Sequence, residues 1–271
     1  MKATLRGYER VIVAFSGGVD STLLAVLARE TLGKGNVLAV TADSPSMARA
    51  DLHEARRLAQ QCDLEHLVIE TQEVADPSYQ ANTQARCYVC KRTLFDALES
   101  VGRARGMSLM LYGAIGDDQL DERPGQRAAL ERGVRAPLQE AGLTKRDVRE
   151  LARSLGLPNW NHPQNACLSS RIPHGLGVTE DKLSQVEQAE AFLRAQGFSQ
   201  VRVRHLGAHA RIEVEPESVG RFQEPALCLA VAQRFEQLGF DTVGVNRSGY
   251  RPGGADHDVT DELLLTVTRD M

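Results

Sequence analysis

Short apolar runs alternate with longer segments of helical periodicity through the first half of the chain. The runs are rich in β-branched residues, which favours strands, and helix-like stretches separate them. The predicted strands are Val11–Phe15, Val37–Thr41, Leu67–Ile69 and Leu109–Tyr112. The predicted helices are Thr22–Thr31, Met47–Cys62 and a segment that begins near Tyr88. This βαβα order predicts an α/β fold with a doubly wound, mostly parallel sheet, whose ligands bind at the carboxyl ends of the strands.

The second half follows a different order. Residues 136–157 have helical periodicity, and residues 158–177 form a long connection rich in Pro, Asn, Gly and Ser. Beyond it, the predicted elements are helices over Thr179–Gln196 and Ser218–Leu238 and strands over Val201–Arg204, Ala210–Val214 and Thr242–Val245. The pattern therefore predicts a first domain over residues 1–165 and a smaller α+β domain over residues 178–252. Residues 253–271, which include the alternating run Leu263–Val267, are a tail of unknown role.

Composition narrows the class of protein. The chain has 271 residues, 42% of them hydrophobic and 25% charged, which suits a globular protein with a full core. A net charge of −4 argues against a dedicated nucleic-acid surface. No apolar stretch approaches the ~20 residues that span a bilayer, and the N-terminus lacks a signal-peptide core. We therefore expect a cytoplasmic enzyme, in which five cysteines are more often metal ligands or catalytic groups than disulfides.

The segment Ser16-Gly17-Gly18-Val19-Asp20-Ser21 follows the first predicted strand and opens the first helix. Adjacent glycines let the backbone approach a ligand closely, and the free N–H groups of a helix start attract anions. The alternative is a simple tight turn with a Ser or Asp helix cap. The segment lacks the Gly-Lys-Ser/Thr ending of the P-loop. It resembles instead the PP-loop of the ATP-pyrophosphatase superfamily, which grips the β,γ-pyrophosphate of ATP and transfers AMP.

Other candidate ligand-binding residues follow further strands. Ala42 and Ser44 come after the second strand, and Gly113 comes after the fourth, with Asp117 and Asp118 a few residues on. Together with Asp20, these two carboxylates could hold Mg²⁺ across bound phosphates, although an acidic solvated turn is an equal alternative.

Three cysteines are candidates for metal chemistry. Cys87 and Cys90 form a CxxC pair, and Cys167 lies in the long connection. A redox dithiol is disfavoured by the PP-loop context, whereas zinc, with His162 or His174 as a fourth ligand, and a three-cysteine iron–sulfur cluster both fit soft thiolate ligands. Idle thiols are the remaining alternative. Cys62 and Cys228 lie in apolar helical patterns and are expected to pack in the core, as is Trp160.

Several further segments combine with the PP-loop into a more specific resemblance. They are Ala42–Ser46, Arg86–Lys91, Arg123-Pro124-Gly125, Ala136-Pro137-Leu138, Gly142–Arg149, Ala166–Gly175, Arg202–His205 and Ala210–Val214. In this order they resemble the LarE family of ATP-dependent sulfur transferases, which act in biosynthesis of the nickel-pincer nucleotide cofactor. The resemblance covers roughly residues 5–252.

The resemblance implies a reaction in two stages. ATP with Mg²⁺ adenylates a carboxylate of a pyridinium-3,5-dicarboxylate mononucleotide, and sulfur then displaces AMP to give a thiocarboxylate. Ser16, Gly17, Gly18, Asp20 and Ser21 would bind the pyrophosphate, and Ala42, Ser44 and Gly113 the rest of the nucleotide. The family also implies a homo-oligomer and an outside sulfide donor, such as a cysteine desulfurase.

The resemblance further assigns roles to the cysteines and arginines. Cys167 is either a sacrificial sulfur donor or, with Cys87 and Cys90, a ligand of a [4Fe-4S] cluster; the presence of all three favours the cluster branch. Arg171 lies beside Cys167 as a catalytic and substrate-binding residue. Arg202 and Arg204 alternate with valines, so both lie on one strand face, where they would bind the ribose phosphate. Tyr88 would stack on a ring of the substrate.

One feature departs from the family pattern, and other functions compete. Many relatives have an Asn in the loop that reads Gly113–Asp118 here, so the role of that Asn does not carry over. An amide-forming synthetase, such as NAD synthetase or the synthetase part of GMP synthetase, would leave the three cysteines without a role. A tRNA thiolase would need a basic surface, and a zinc-stabilised nucleotide-binding module is the non-enzymatic alternative.

Overall fold

The computed structural model describes residues 1–118, 124–163, 166–251 and 261–265. The chain divides into two compact units. The first comprises residues 1–79 and 84–166, and the second comprises residues 80–83 and 167–271. Arg123 of the predicted Arg-Pro-Gly motif and the last two residues of the Leu263–Val267 run lie outside the described residues.

The helices and strands of the described residues follow the predicted alternation. The α-helices are α1 (Lys2–Leu5), α2 (Val19–Leu32), α3 (Arg49–Gln61), α4 (Pro77–Gln80), α5 (Arg86–Arg105), α6 (Pro124–Glu131), α7 (Pro137–Glu140), α8 (Lys145–Ser154), α9 (Glu180–Ala195) and α10 (Pro225–Gln237). The strands are β1 (Val11–Ala14), β2 (Val37–Asp43), β3 (Glu65–Glu70), β4 (Leu109–Leu111), β5 (Val201–Leu206), β6 (His209–Val214), β7 (Thr242–Asn246) and β8 (Glu262–Leu265). Short 3₁₀ helices cover Lys34–Asn36, Glu73–Ala75, Leu168–Arg171 and Pro216–Gln223.

The sheet of the first unit is parallel, with strand order β3-β2-β1-β4. Successive residues of β1 face opposite sides of this sheet. Val11 and Val13 pack with α2, α3 and α8, whereas Ile12 packs with Phe95 of α5 and the opposite core. Helices thus cover both faces, which confirms the predicted doubly wound α/β fold. The strand order reverses between β1 and β4, so the carboxyl ends of these two strands flank the expected ligand crevice.

The second unit has a four-stranded mixed sheet in the order β5-β6-β7-β8. β5 and β6 form an antiparallel hairpin, α10 connects the parallel strands β6 and β7, and β8 pairs antiparallel with β7. Residues 262–265, predicted as part of a tail, thus form an edge strand of this sheet. Valines and isoleucine on one face of β5–β7 pack against α9 and α10 around Phe198 and Phe235.

Two predicted helical segments are each divided in the structure. Ser218–Leu238 becomes a 3₁₀ helix followed by α10, because Pro225 disfavours helical geometry at Glu224, which is extended at φ −75° and ψ 117°. Residues 136–157 become α7 and α8, separated by Gly142 in the left-handed region at φ +67°. Across the described part of the chain, no helix combines the length and apolarity required to cross a membrane.

Candidate active site

The PP-loop connects the end of β1 to the start of α2 through a compact set of hydrogen bonds. The Ser16 N–H donates to Ser21 Oγ at 3.3 Å, and Ser21 Oγ donates to the Gly18 carbonyl at 3.1 Å. The Gly18 N–H donates to Ser16 Oγ at 3.3 Å. Both hydroxyls therefore lie inside the turn, beside the free N–H groups at the α2 N-terminus. Hydroxyl and amide donors at a helix start suit a polyphosphate.

Two glycines of this site have no space for a side chain. Gly17 has φ +73°, and a Cβ there would lie 3.0 Å from Cα of Ala55. Gly113, just past β4, approaches the start of α2 so closely that a Cβ would lie 2.9 Å from the Ser21 backbone nitrogen. The two strand ends at the switch point therefore meet backbone to backbone. This close approach leaves the loop surface as bare amide, as a phosphate cradle requires.

Asp20, the acidic residue of the PP-loop, forms an ion pair. Lys145 Nζ, at the start of α8, donates to both carboxylate oxygens of Asp20 at 2.8 Å each. The Lys145 backbone N–H donates to Asp117 at 2.6 Å, and the Ile115 N–H donates to Asp118 at 3.1 Å. Asp20 and Asp117 thus both contact one residue. Their hard oxygens match the ligand chemistry of Mg²⁺, so the donor set fits that ion.

The segment after β2 is fixed by buried polar contacts. Ser44 Oγ lies 2.9 Å from Ser46 Oγ, which donates to Glu73 Oε1 at 2.9 Å. Arg49 donates to the Ser44 carbonyl at 2.9 Å. Ala42, the other predicted nucleotide-contact residue, is half-buried next to this turn. Ser44 therefore holds the loop in shape from inside.

The CxxC pair lies in the first turn of α5 within the first unit. Cys87 is exposed and Cys90 is half-buried, one helical turn later. Tyr88 between them is engaged with α6: its hydroxyl donates to Glu131 at 2.5 Å, and the Arg127 guanidinium lies 5.5 Å from the ring centroid. The ring face predicted to stack on substrate thus already contacts a cation in this structure.

Cys167 lies in the second unit, where it is exposed directly before the 3₁₀ helix Leu168–Arg171. Arg171 holds this turn from beneath. Its guanidinium donates to the Cys167 carbonyl at 3.0 Å, and it binds both carboxylate oxygens of Glu190 at 2.8 and 3.1 Å. Arg171 and Glu190 are almost fully buried, so the position of the Cys167 backbone is set by a bidentate ion pair.

The two predicted phosphate-binding arginines are buried on the polar face of the second sheet. Arg204 pairs with Glu213 at 2.8 Å and donates to the Ser170 carbonyl at 3.1 Å. The Arg202 guanidinium lies 5.4 Å from the Tyr250 ring centroid. The register places both arginines on one face, opposite Glu213 and Arg211. A solvated strand face, the alternative to a binding role, is wrong for both residues.

Charges within this cluster change its ionisation. Burial alone would raise the pKa of Glu190, but the charges of Arg171, Arg194 and Arg202 and the hydrogen bond from Arg171 outweigh it and hold that pKa below its ordinary value. Burial and the nearby charge of Arg171 lower the pKa of Arg202. An arginine stays protonated nonetheless. The cluster therefore favours a further negative charge, such as a phosphate.

The remaining cysteines, histidines and tryptophan take structural positions. Cys62 and Cys228 are half-buried against the two cores, and Trp160 packs on the first core beneath Arg153. His162 lies 3.9 Å from Glu54, and His174 is exposed. Within the described ranges, no group of three or more His, Cys, Asp and Glu side chains is arranged to hold a metal ion.

Several residues that build the site had no signal in the sequence. Lys145 appeared only as a helix start, yet it contacts both Asp20 and Asp117. Asn159 donates to the PP-loop, and Glu190 and Glu213 bind the arginines near Cys167. The distance along the chain hides them: 125 residues separate Lys145 from Asp20. Only the acidic alternation around Glu213 on β6 gave an indication.

Comparison with known proteins agrees with this geometry. Residues 2–117 match the NAD synthase family model. A pyridinium-3,5-bisthiocarboxylic acid mononucleotide synthase of Lactiplantibacillus plantarum is 37% identical over 264 residues, 97% of this chain and 95% of its own length. An uncharacterised protein of Synechocystis sp. is 43% identical over 90% of this chain and 91% of its own length.

A glutamine-hydrolyzing GMP synthase of Methanococcus maripaludis is similar over less of its length. The matching polypeptide is 31% identical over 198 residues, 67% of this chain and 62% of its own length. The match to the mononucleotide synthase, in contrast, spans both units and includes the segment around Cys167 and the two arginines of β5. The chain therefore belongs to the LarE family of ATP-dependent PP-loop sulfur transferases.

Proposed function

We propose that this protein converts a carboxylate of a pyridinium-3,5-dicarboxylate mononucleotide to a thiocarboxylate, by way of an acyl-adenylate, in nickel-pincer cofactor biosynthesis. The carrying observation is the 37% identity to the mononucleotide synthase across 97% of this chain. The geometry of each unit supports one half of the reaction. The first unit has a phosphate cradle, and the second has a buried arginine cluster next to an exposed thiol.

The first unit binds and orients ATP. The PP-loop amides and the hydroxyls of Ser16 and Ser21 hold the β,γ-pyrophosphate, which becomes the leaving group. Lys145 and Asp20 lie at the start of α2, where Lys145 neutralises charge on the departing pyrophosphate. Mg²⁺, bound by Asp20 and Asp117, would polarise the phosphates.

Adenylation solves a leaving-group problem. A carboxylate cannot lose oxide, but after its oxygen attacks the α-phosphorus of ATP, the C–O bond can break with AMP as leaving group. In this step the bond from the α-phosphorus to the bridging oxygen breaks, and pyrophosphate departs with its electron pair. A sulfur nucleophile then adds to the activated carbonyl, and AMP leaves.

The second unit binds the substrate phosphate. Arg202 and Arg204 present guanidinium groups from one strand face, and Arg171 adds a third positive charge. Forked arginine donors match the oxygens of a phosphate monoester. Glu190 and Glu213 fix the guanidinium planes, so little side-chain entropy is lost when the substrate binds.

Cys167 is the residue through which sulfur reaches the substrate. With Cys87 and Cys90 it would hold a [4Fe-4S] cluster, which when bound supplies an open iron that carries transferable sulfide. The thiolate donor set suits such a cluster, and Cys87 and Cys167 are both exposed. A sacrificial Cys167, left as dehydroalanine, is the alternative route. A sulfide donor such as a cysteine desulfurase resupplies the protein, which acts as a homo-oligomer in the cytoplasm, without nucleic-acid or membrane partners.

The test is product analysis by mass spectrometry under anaerobic conditions. Purified protein, ATP, Mg²⁺, sulfide and the pyridinium dicarboxylate mononucleotide should give a product in which sulfur replaces oxygen. Protein that consumes ATP and ammonia to form an amide would instead support the synthetase alternative. Loss of about 34 Da from the protein, the mass of H₂S, would assign the sacrificial route, and an unchanged mass with bound iron would assign the cluster.

A further inference from the structure

Asn159 contacts the PP-loop from the connection that follows α8. Its side chain is fully buried, and its amide Nδ2 donates to the Gly17 carbonyl at 2.9 Å and to Thr22 Oγ1 at 3.1 Å. Each of the two amide hydrogens thus has its own acceptor, one in the loop and one in the first turn of α2. One side chain joins the two parts of the phosphate cradle.

The bond to Gly17 fixes the direction of the next amide. The peptide between Gly17 and Gly18 is planar and trans, so its C=O and N–H point in opposite directions. With the carbonyl held inward by Asn159, the Gly18 N–H points outward to Ser16 Oγ, 3.3 Å away. Gly17 adopts φ +73°, and a glycine peptide of this kind rotates easily unless both its ends are held.

We propose that Asn159 is a positioning residue for ATP: it locks the Gly17–Gly18 peptide so that the Gly18 N–H faces the pyrophosphate before nucleotide binds. Thr22 at the other bond anchors Asn159 and has no direct effect on that amide. This inference rests on the proposed use of the PP-loop for ATP, and it concerns nucleotide affinity rather than sulfur transfer. Preorganised donors strengthen binding because no loop ordering is required on association.

The test compares Asn159→Ala with Asn161→Ala in the full-length chain. Asn161 is exposed in the same connection, so it is a matched control. Calorimetric titration with Mg²⁺ and α,β-methylene-ATP should show affinity about tenfold weaker for Asn159→Ala and unchanged for Asn161→Ala. Thr22→Val, which keeps the Gly17 bond, should lose much less affinity. In turnover, the KM for ATP should rise while the KM for the pyridinium mononucleotide stays the same.

Urea unfolding without nucleotide separates positioning from stability. If Asn159→Ala proves unstable, Asn159→Ser, whose shorter side chain cannot reach Gly17, leaves a smaller cavity and should show the same loss of ATP affinity. A variant that is less stable yet binds the analogue as the parent does would overturn the inference, as would an equal rise in both KM values. Parent protein that binds the analogue but forms no thiocarboxylate would refute the proposed substrate and leave this inference standing.

Discussion

The guanidinium of Arg171 donates to the Cys167 carbonyl at 3.0 Å while it forms a bidentate pair with buried Glu190. Arg204 holds the same turn at the Ser170 carbonyl. The exposed Cys167 thiol therefore lies on a turn fixed by two arginines whose charges also favour a phosphate. Thiol position and substrate binding are linked through the same side chains.

Replacing Cys167 separates the two stages of the reaction. Cys167→Ala should abolish sulfur transfer but leave substrate-dependent release of pyrophosphate largely intact, because the PP-loop belongs to the other unit. Parallel assays of pyrophosphate and thiocarboxylate check this. Cys62→Ala, which removes a half-buried thiol at the core, should keep both activities. Sulfur transfer by Cys167→Ala at the parental rate would remove Cys167 from the mechanism.

Glu190→Gln should destabilise the second unit strongly. The substitution leaves Arg171 and its neighbours Arg194 and Arg202 without their shared counter-charge in a buried site. Removing one partner of a buried ion pair costs about 3 kcal/mol. Urea unfolding measures this loss, with Glu217→Gln at an exposed position as the control of equal charge change. An equally small effect at both positions would show that Glu190 does not balance the cluster.

Gly113→Ala should impair ATP binding. Its Cβ would lie 2.9 Å from the Ser21 backbone nitrogen and 3.1 Å from the Asp20 carbonyl carbon, so the start of α2 must shift. We expect a loss of at least tenfold in affinity for the ATP analogue, measured by calorimetry. Gly35→Ala, where a Cβ meets nothing within 4 Å, should bind normally. Unchanged binding by Gly113→Ala would mean that this close approach does not shape the cradle.

His205 should make the protein less stable in mild acid. Burial, with the nearby Lys182 charge, lowers its pKa from 6.5 to about 4. Its Nε2 lies 2.9 Å from Gln185 Oε1, and Nδ1 accepts the Gly207 N–H, so the folded state holds the neutral ring. The unfolded chain therefore binds more protons between these values, and the free energy of unfolding falls as pH drops from 6.5 towards 4, by up to about 3 kcal/mol.

Urea unfolding at pH 7 and pH 4.5 tests this prediction. The decrease should be smaller in His205→Asn, which has no ionisable ring. His66, whose pKa burial also lowers, titrates in the same direction in both proteins and so does not affect the comparison. Identical slopes in parent and variant would exclude His205 as the source.

The sequence predicted the elements that local patterns encode. The apolar run before Ser16 and the alternation around Arg202 predicted β1 and β5, and the parallel sheet followed from their order. Local steric rules were missed where Pro225 and Gly142 divide helical periodicity, because apolar spacing continues through both residues.

The contacts that shape the site could not be predicted, because they join residues far apart in the chain. Asn159 reaches Gly17 across 142 residues, and Glu190 reaches Arg171 from a different helix. Each looks like an ordinary polar residue of a connection or of an amphipathic helix. Only burial shows their importance, since a buried polar group must find a partner.

The most direct test of the central claim identifies the products formed from ATP. With Mg²⁺ and the pyridinium dicarboxylate mononucleotide present, chromatography of the nucleotides should show AMP and pyrophosphate in equal amounts, and neither should form without the mononucleotide. Formation of ADP and phosphate would contradict carboxylate adenylation at the PP-loop, and the proposed route to the thiocarboxylate would then be wrong.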